Sequence, residues 1–176
     1  TMRGNDAATS GGAIYGKISN VTITNATFFQ NFAVAGGALR IDQADGSVTN
    51  PTFSHNTAVT SGANLHSSNA DASRFAVLNS IVEVDPATAD SCSGAWTSHG
   101  HNVFFGDASC GAIGSDRTGD PKLGMIGLNG GVTETLLPQT GSAAIDAADG
   151  AQCPADDQRG VARPLGGACD IGSVEQ

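Results

Sequence analysis

Hydrophobic and polar residues alternate along the first third of the chain. Val21-Thr22-Ile23-Thr24 and Ala26-Thr27-Phe28 place every second side chain on one face, the spacing of a β-strand with one apolar side. β-Branched residues are abundant and no helical period survives between residues 11 and 60. The alternating runs are short and broken by glycine and asparagine, which predicts short strands joined by tight corners.

The pattern repeats. At a shift of 25 residues, Gly11-Gly12-Ala13-Ile14 falls on Gly36-Gly37-Ala38-Leu39, and "TNATFFQN" (24–31) falls on "TNPTFSHN" (49–56). A weaker third copy begins at "SGANL" (61–65) and, after an insertion of about four residues, resumes at "LNSIVEV" (78–84). A 25-residue unit with two or three strands is too short for a propeller blade and lacks the leucines of a leucine-rich repeat. It suits one coil of a parallel β-helix, in which equivalent residues stack at about 4.8 Å. Gly11, Gly12, Gly36 and Gly37 are then expected at a corner that needs positive φ or close coil-to-coil approach. Phe28 is expected to stack on Phe53 in the lumen, beside Val21 and Ile23. The pairs Asn25/Asn50 and Asn31/Asn56 are expected to form ladders at turns.

From about residue 85 the regular alternation gives way to Gly, Asp-Pro and Ser-rich segments. Three regions are expected: coils over 1–84, irregular final coils with a first disulfide loop over 85–137, and a C-terminal cap over 138–176. A stacked β-helix must cover its last coil or pair edge to edge with other chains, and the polar tail suits that task.

Composition narrows the function. The net charge is −9 with two lysines, Lys17 and Lys122, which argues against nucleic acid and anionic membranes. No apolar run approaches the roughly 18 residues of a membrane helix. No signal peptide is visible, so Thr1 reads as an internal point of a longer product. The four cysteines, Cys92, Cys110, Cys153 and Cys169, lack zinc-site spacing and predict two disulfides in an oxidising compartment. Of three connectivities, sequential pairing is expected because each pair brackets its own Gly-rich loop.

Residues 79–176 resemble the C-terminal region of bacterial choice-of-anchor Q domain proteins. The stretches that carry this are "NSIV", "C…SHGHNVFF…C", "GDPKLG", "LNGGVTETLLP", "GSAAIDAAD", "DQRGVARP" and "GGACDIGSVE". Residues 11–65 resemble the Gly-Gly-Ala-Ile repeats of right-handed parallel β-helix proteins, including polymorphic outer-membrane proteins. The resemblance implies a right-handed parallel β-helix, bacterial origin, export and cell-surface or extracellular residence. The chain departs from it at Ala143, Ala148 and Val174, where proline, glycine and an aromatic residue are usual.

Candidate chemistry is sparse. Arg40, Asp42 and Asp45 share one coil and are the best candidates for polysaccharide cleavage, which needs a carboxylate cluster and a base; "RIDQADG" also reads as a solvated turn. Asp146, Asp149, Asp156, Asp157 and Asp170 crowd the tail with Arg159 and Arg163. Interleaved arginines favour a salt-bridged cap over a calcium site. His99 and His101 flank Gly100 with no third metal ligand evident, and His55 and His66 read as lone turn histidines. "NVT" (20–22) and "NAT" (25–27) match the N-glycosylation acceptor pattern. Trp96 and Tyr15 are the sole tryptophan and tyrosine, a scarce supply of sugar-stacking surfaces. The expected role is a non-enzymatic extracellular structural, adhesion or assembly subunit without a cofactor. Further chain or other subunits are expected at the N-terminal end. The alternative is a polysaccharide-binding or polysaccharide-cleaving module.

Overall fold

The computed structural model describes residues 1–84 and 90–176. It is an all-β solenoid of stacked parallel coils. Each full coil carries four strands, where the repeat alone had suggested two or three. The first coil holds β1 (Met2–Arg3), β2 (Asp6–Ser10), β3 (Ile14–Lys17) and β4 (Asn20–Thr24). The second holds β5 (Thr27–Phe29), β6 (Phe32–Ala35), β7 (Leu39–Asp42) and β8 (Asp45–Thr49). The third holds β9 (Thr52–Ser54), β10 (Thr57–Ser61), β11 (Leu65–Ser67) and β12 (Phe75–Leu78). Then come β13 (Ile81–Glu83), β14 (Cys92–Gly94), β15 (Thr97–Ser98) and β16 (Val103–Phe105).

Four parallel sheets result: β1-β5-β9-β13-β16, β2-β6-β10, β3-β7-β11-β14 and β4-β8-β12-β15. The register offset in the first sheet is 25 residues where Thr27 lies opposite Thr52, and 29 where Thr52 lies opposite Ile81. One of the four extra residues enters at the Ala58/Ser61 irregularity of β10 and three enter between β11 and β12, where Ala72–Arg74 form a 3-10 turn capped by the Asp71 carboxylate. The stack continues to Phe105, within the 85–137 region expected to hold irregular final coils. The residues at the start of that region, 85–89, lie outside the described ones.

Stacking turns the sequence alternation into interior columns. Phe28, Phe53, Val82 and Phe104 follow one another in register along the first sheet. The Phe28 and Phe53 rings stack with centroids 4.6 Å apart, close to the spacing of neighbouring strands. Ile14, Leu39, Leu65 and Cys92 form the column of the third sheet, and Ile23, Val48 and Val77 that of the fourth. Val21 is half-buried at the rim of this core.

The corners are columns too, and most are left-handed. Asn25, Asn50, Asn79 and His101 all have φ between 49° and 56°. At the corner before the third sheet the paired glycines divide the work. Gly11 and Gly36 have φ of 61° and 66°. Gly12 and Gly37 matter for proximity: a Cβ on Gly12 would lie 2.0 Å from the Gly37 carbonyl oxygen, and one on Gly37 would lie 2.2 Å from that of Thr57.

Of the two expected asparagine ladders, one forms. Asn31 Oδ1 accepts from the backbone N and Nδ2 of Asn5. Asn56 Oδ1 accepts from the same two groups of Asn31, at 2.9 and 2.8 Å, and Asn56 Nδ2 donates to Asn64 Oδ1. Asn25 and Asn50 do not bond each other. Asn25 Nδ2 instead donates to the Asp156 carbonyl, while Asn50 Nδ2 donates to those of Asp170 and Gly172.

That outcome reflects a larger correction. Residues 107–117, not the tail, cover the last coil. Cys92 and Cys110 are disulfide-bonded, and Asp107, Ser109 and Asp116 accept from the backbone N–H groups of Ser91, Cys92 and Asn102. The remaining chain, 118–176, runs along the flank of the solenoid over the outer side of the first sheet. Ala147 and Asp149 meet His101 and Asn79, and Ser173 meets Thr52 and Thr27. Glu134 reaches back to Arg3 at 2.8 Å. Ala144, Ala147, Cys169 and Ile171 pack on Ile81 and Val103 as a second small core, stapled by Cys153–Cys169.

Inside this flank the ion pairs are Asp157–Arg159 (2.8 Å) and Arg163–Glu175 (2.9 Å), the latter with both side chains fully buried. Asp156 is exposed and Asp170 makes no ion pair; its oxygens accept from the backbone N–H groups of Asp146 and Gln176. Glu175 takes the place expected of Asp170 because it alone reaches both Arg163 and the Asp170 N–H.

Candidate functional site

The tail covers the first sheet, while the outer face of the third sheet bears a polar row set by the coil register. Tyr15, Arg40, His66 and Ser93 are cross-strand neighbours on β3, β7, β11 and β14. Lys17 lies opposite Asp42 two residues further along. The Arg40 guanidinium sits 5.7 Å from the centroid of the Tyr15 ring. Tyr15 Oη donates to Asp42 Oδ2 at 2.9 Å and Ser68 Oγ donates to Asp42 Oδ1 at 3.0 Å. Those two hydroxyls hold the Asp42 carboxyl below its usual range, and the bond to Asp42 raises the Tyr15 phenol. His66 Nδ1 lies 2.7 Å from Ser93 Oγ and 3.1 Å from Ser61 Oγ. Burial, then the Arg40 charge, pushes the His66 imidazole down, so it is neutral at pH 7.

Arg40 itself has no hydrogen-bonded partner among the described residues, and its Nε is buried. A guanidinium offers five donors in a fixed fork. Here they stand unpaired beside a tyrosine ring that is 44% exposed. Asp45, grouped with Arg40 and Asp42 on sequence, belongs elsewhere. It opens β8 on the fourth sheet and pairs with Arg74 at 2.8 Å. His66 is a strand residue, not a turn histidine. Its place beside Arg40 follows from a 26-residue offset that a strict 25-residue alignment misses.

A second polar group lies in a cleft of about 390 Å³ between the first sheet and the flank. Ser54, His55 and Glu83 meet there. Ser54 Oγ donates to Glu83 Oε2 at 2.5 Å and lies 2.7 Å from His55 Nδ1. The serine bridges the other two, and Ser54 is fully buried. In a nucleophilic triad the histidine is the bridge and the serine is accessible, so this is not a triad in catalytic order. Sequence reading missed it because Glu83 comes from the next coil, across the four-residue insertion.

The other candidates stay apart. His99 is exposed, and His101 is bonded at Nδ1 to the Ala147 carbonyl. Among the described residues no three His, Cys, Asp or Glu side chains are placed to hold a metal ion. The two disulfides indicate an oxidising, extracellular environment. Among the described residues no helix is long and apolar enough to cross a membrane. No family model, curated protein or solved structure matches the chain.

Proposed function

We propose that the protein is a non-enzymatic adhesion module of the bacterial cell surface that binds glycans on the outer face of its third sheet. The unpartnered Arg40 guanidinium, set between Tyr15 and His66, carries this reading. Its fork suits the carboxylate of an acidic sugar. The exposed Tyr15 ring offers a stacking surface, and Lys17 makes the local charge favourable despite the net charge of −9. The parallel coils space the polar row Tyr15, Arg40, His66 and Ser93 at about 4.8 Å per coil, a straight track along which an extended chain of sugars can lie. Pairing along β3, the edge strand of the third sheet, would let further chain or another subunit extend the same surface.

The test is binding of oligogalacturonate and of neutral cello-oligosaccharide by calorimetry, with release of unsaturated products monitored in parallel. Binding of the acidic oligomer that falls at least about tenfold in Arg40→Ala, the loss of one charge-assisted contact, supports the reading. Equal affinity in parent and variant refutes the site. Product release would assign the polysaccharide-cleaving alternative.

A further inference from the structure

The cleft on the first sheet is separate from the glycan face and has its own chemistry. Its walls are Phe29, Leu123, Met125, Ile126 and Leu136, and its polar floor is Ser54, His55 and Glu83. The volume of about 390 Å³ falls within the range of small-molecule sites, which combine apolar walls with few convergent polar groups.

The polar floor defines the occupant. Among the described residues Glu83 is the only carboxylate lining the cleft, and no lysine or arginine lines it. Arg3, which stacks over Phe29 at the cleft wall, is paired with Glu134 at 2.8 Å. Ser54 Oγ, sandwiched between His55 and Glu83, orients the carboxylate from a fully buried position. The Glu83 side chain is 17% exposed, while that of His55 is 51% exposed and sits at the mouth. The Phe29 and His55 rings lie 5.4 Å apart and inclined at 56°, presenting ring surface next to the carboxylate.

We infer that this cleft binds a small apolar molecule carrying one protonated amine, with the ammonium on Glu83 and the apolar body between Phe29 and the Leu123–Ile126 segment. An acid of the same shape would face Glu83 with like charge and no lysine or arginine among the described lining residues to offset it. An uncharged molecule would bury the carboxylate with the Ser54 hydroxyl as its hydrogen-bond donor but no ammonium partner.

Titration calorimetry with 2-phenylethylammonium and with 3-phenylpropionate distinguishes these cases on the intact, oxidised chain. Expected is saturable binding of the amine, with the carboxylate at least about tenfold weaker, the discrimination of one ion-paired hydrogen bond. Glu83→Gln retains an acceptor for Ser54 and should lower amine affinity by about the same factor. If that variant does not fold, Ile126→Trp fills the cleft and leaves Glu83 untouched; it should abolish binding in a folded protein. Absence of saturable amine binding, equal affinity for both probes, or undiminished binding in either folded variant overturns the inference.

Discussion

The Asn31–Asn56 ladder is a strong test of how the coils are held in register. Replacing Asn56 by alanine removes four bonds: two accepted from Asn31 and two donated, to the Phe28 carbonyl and Asn64 Oδ1. Asn31, Asn56 and Asn64 are all completely buried. Two groups lose their partner outright, the Asn31 backbone N–H and Asn64 Oδ1. An orphaned buried polar group costs about 1–3 kcal/mol, so the two together cost about 2–6 kcal/mol. A water entering the polar void would hold the loss toward the lower half of that range, and about 3 kcal/mol is expected. With a urea slope near 2 kcal/mol per molar, the unfolding midpoint should fall by about 1.5 M. Thr60→Ala is the control. It removes one bond to the Val34 carbonyl at an exposed site and should shift the midpoint little. An Asn56→Ala midpoint no lower than that of Thr60→Ala, at unchanged slope, would refute a structural role for the ladder. In the double variant, Asn31→Ala with Asn56→Ala should cost less than the sum of the singles, because both delete the bond from Asn31 Nδ2 to Asn56 Oδ1.

Other outcomes follow from contacts of equal definition. Gly37→Ala should cost more than about 3 kcal/mol or prevent folding, since its Cβ would meet two backbone carbonyl oxygens within 2.5 Å; Gly114→Ala, with open space at its Cβ, should melt like the parent. Arg163→Ala strands the fully buried Glu175 carboxylate and should destabilise by about 3–5 kcal/mol, read as rapid proteolysis of the flank. Burial, with the nearby Glu175 charge, pushes the Asp170 carboxyl up to about 6 from 3.8. The folded form therefore holds its proton more tightly, and stability falls as pH rises from about 4 to about 6. The melting temperature should increase as pH drops from 7 to 5, and Asp170→Asn should flatten that slope. Replacing Cys153 and Cys169 by serine opens a 16-residue separation and should cost about 3 kcal/mol in the chain-entropy model, measured against the parent by urea unfolding.

The repeat was legible because a β-helix makes each coil solve the same steric problem. Gly12 and Gly37 recur since a Cβ in either would strike the next backbone; Phe28 and Phe53 recur since each fills the same slice of lumen. The insertion before "LNSIVEV" was legible for the same reason: β12 returns to register with β8 after the 3-10 turn at Ala72–Arg74. The flank was not legible. Its contacts join residues more than a hundred positions apart, such as Asn25 with Asp156 and Thr52 with Ser173, and no period relates them. Asn25 and Asn50 were correctly read as left-handed corner residues, but left-handed φ settles only the backbone. Whether the amide turns to the next coil or to a third segment depends on what lies outside. The two clusters that bear on function fell between repeats. His66 is displaced by a one-residue shift at the Ala58/Ser61 irregularity, and Glu83 by the insertion.

The contrast among the arginines explains why the proposed binding face falls on the third sheet. Arg159 and Arg163 lie in irregular chain, where backbone carbonyls and carboxylates can approach from any direction; Arg159 bonds through Nε and both Nη atoms and Arg163 through both Nη atoms, its Nε alone being left without a partner among the described residues. Arg40 lies in a stack, where direct neighbours are dictated by the register. Those neighbours are Tyr15 and His66, neither of which carries a negative charge at neutral pH. The one carboxylate on the same strand face, Asp42, is held by hydroxyls from the coils on either side, Tyr15 and Ser68. A strand holds successive same-face residues about 6.6 Å apart, too far for Asp42 to serve Arg40 while it serves both hydroxyls. The regularity that builds the solenoid thus leaves the Arg40 guanidinium without a hydrogen-bonded partner among the described residues, the condition that the proposed glycan site requires.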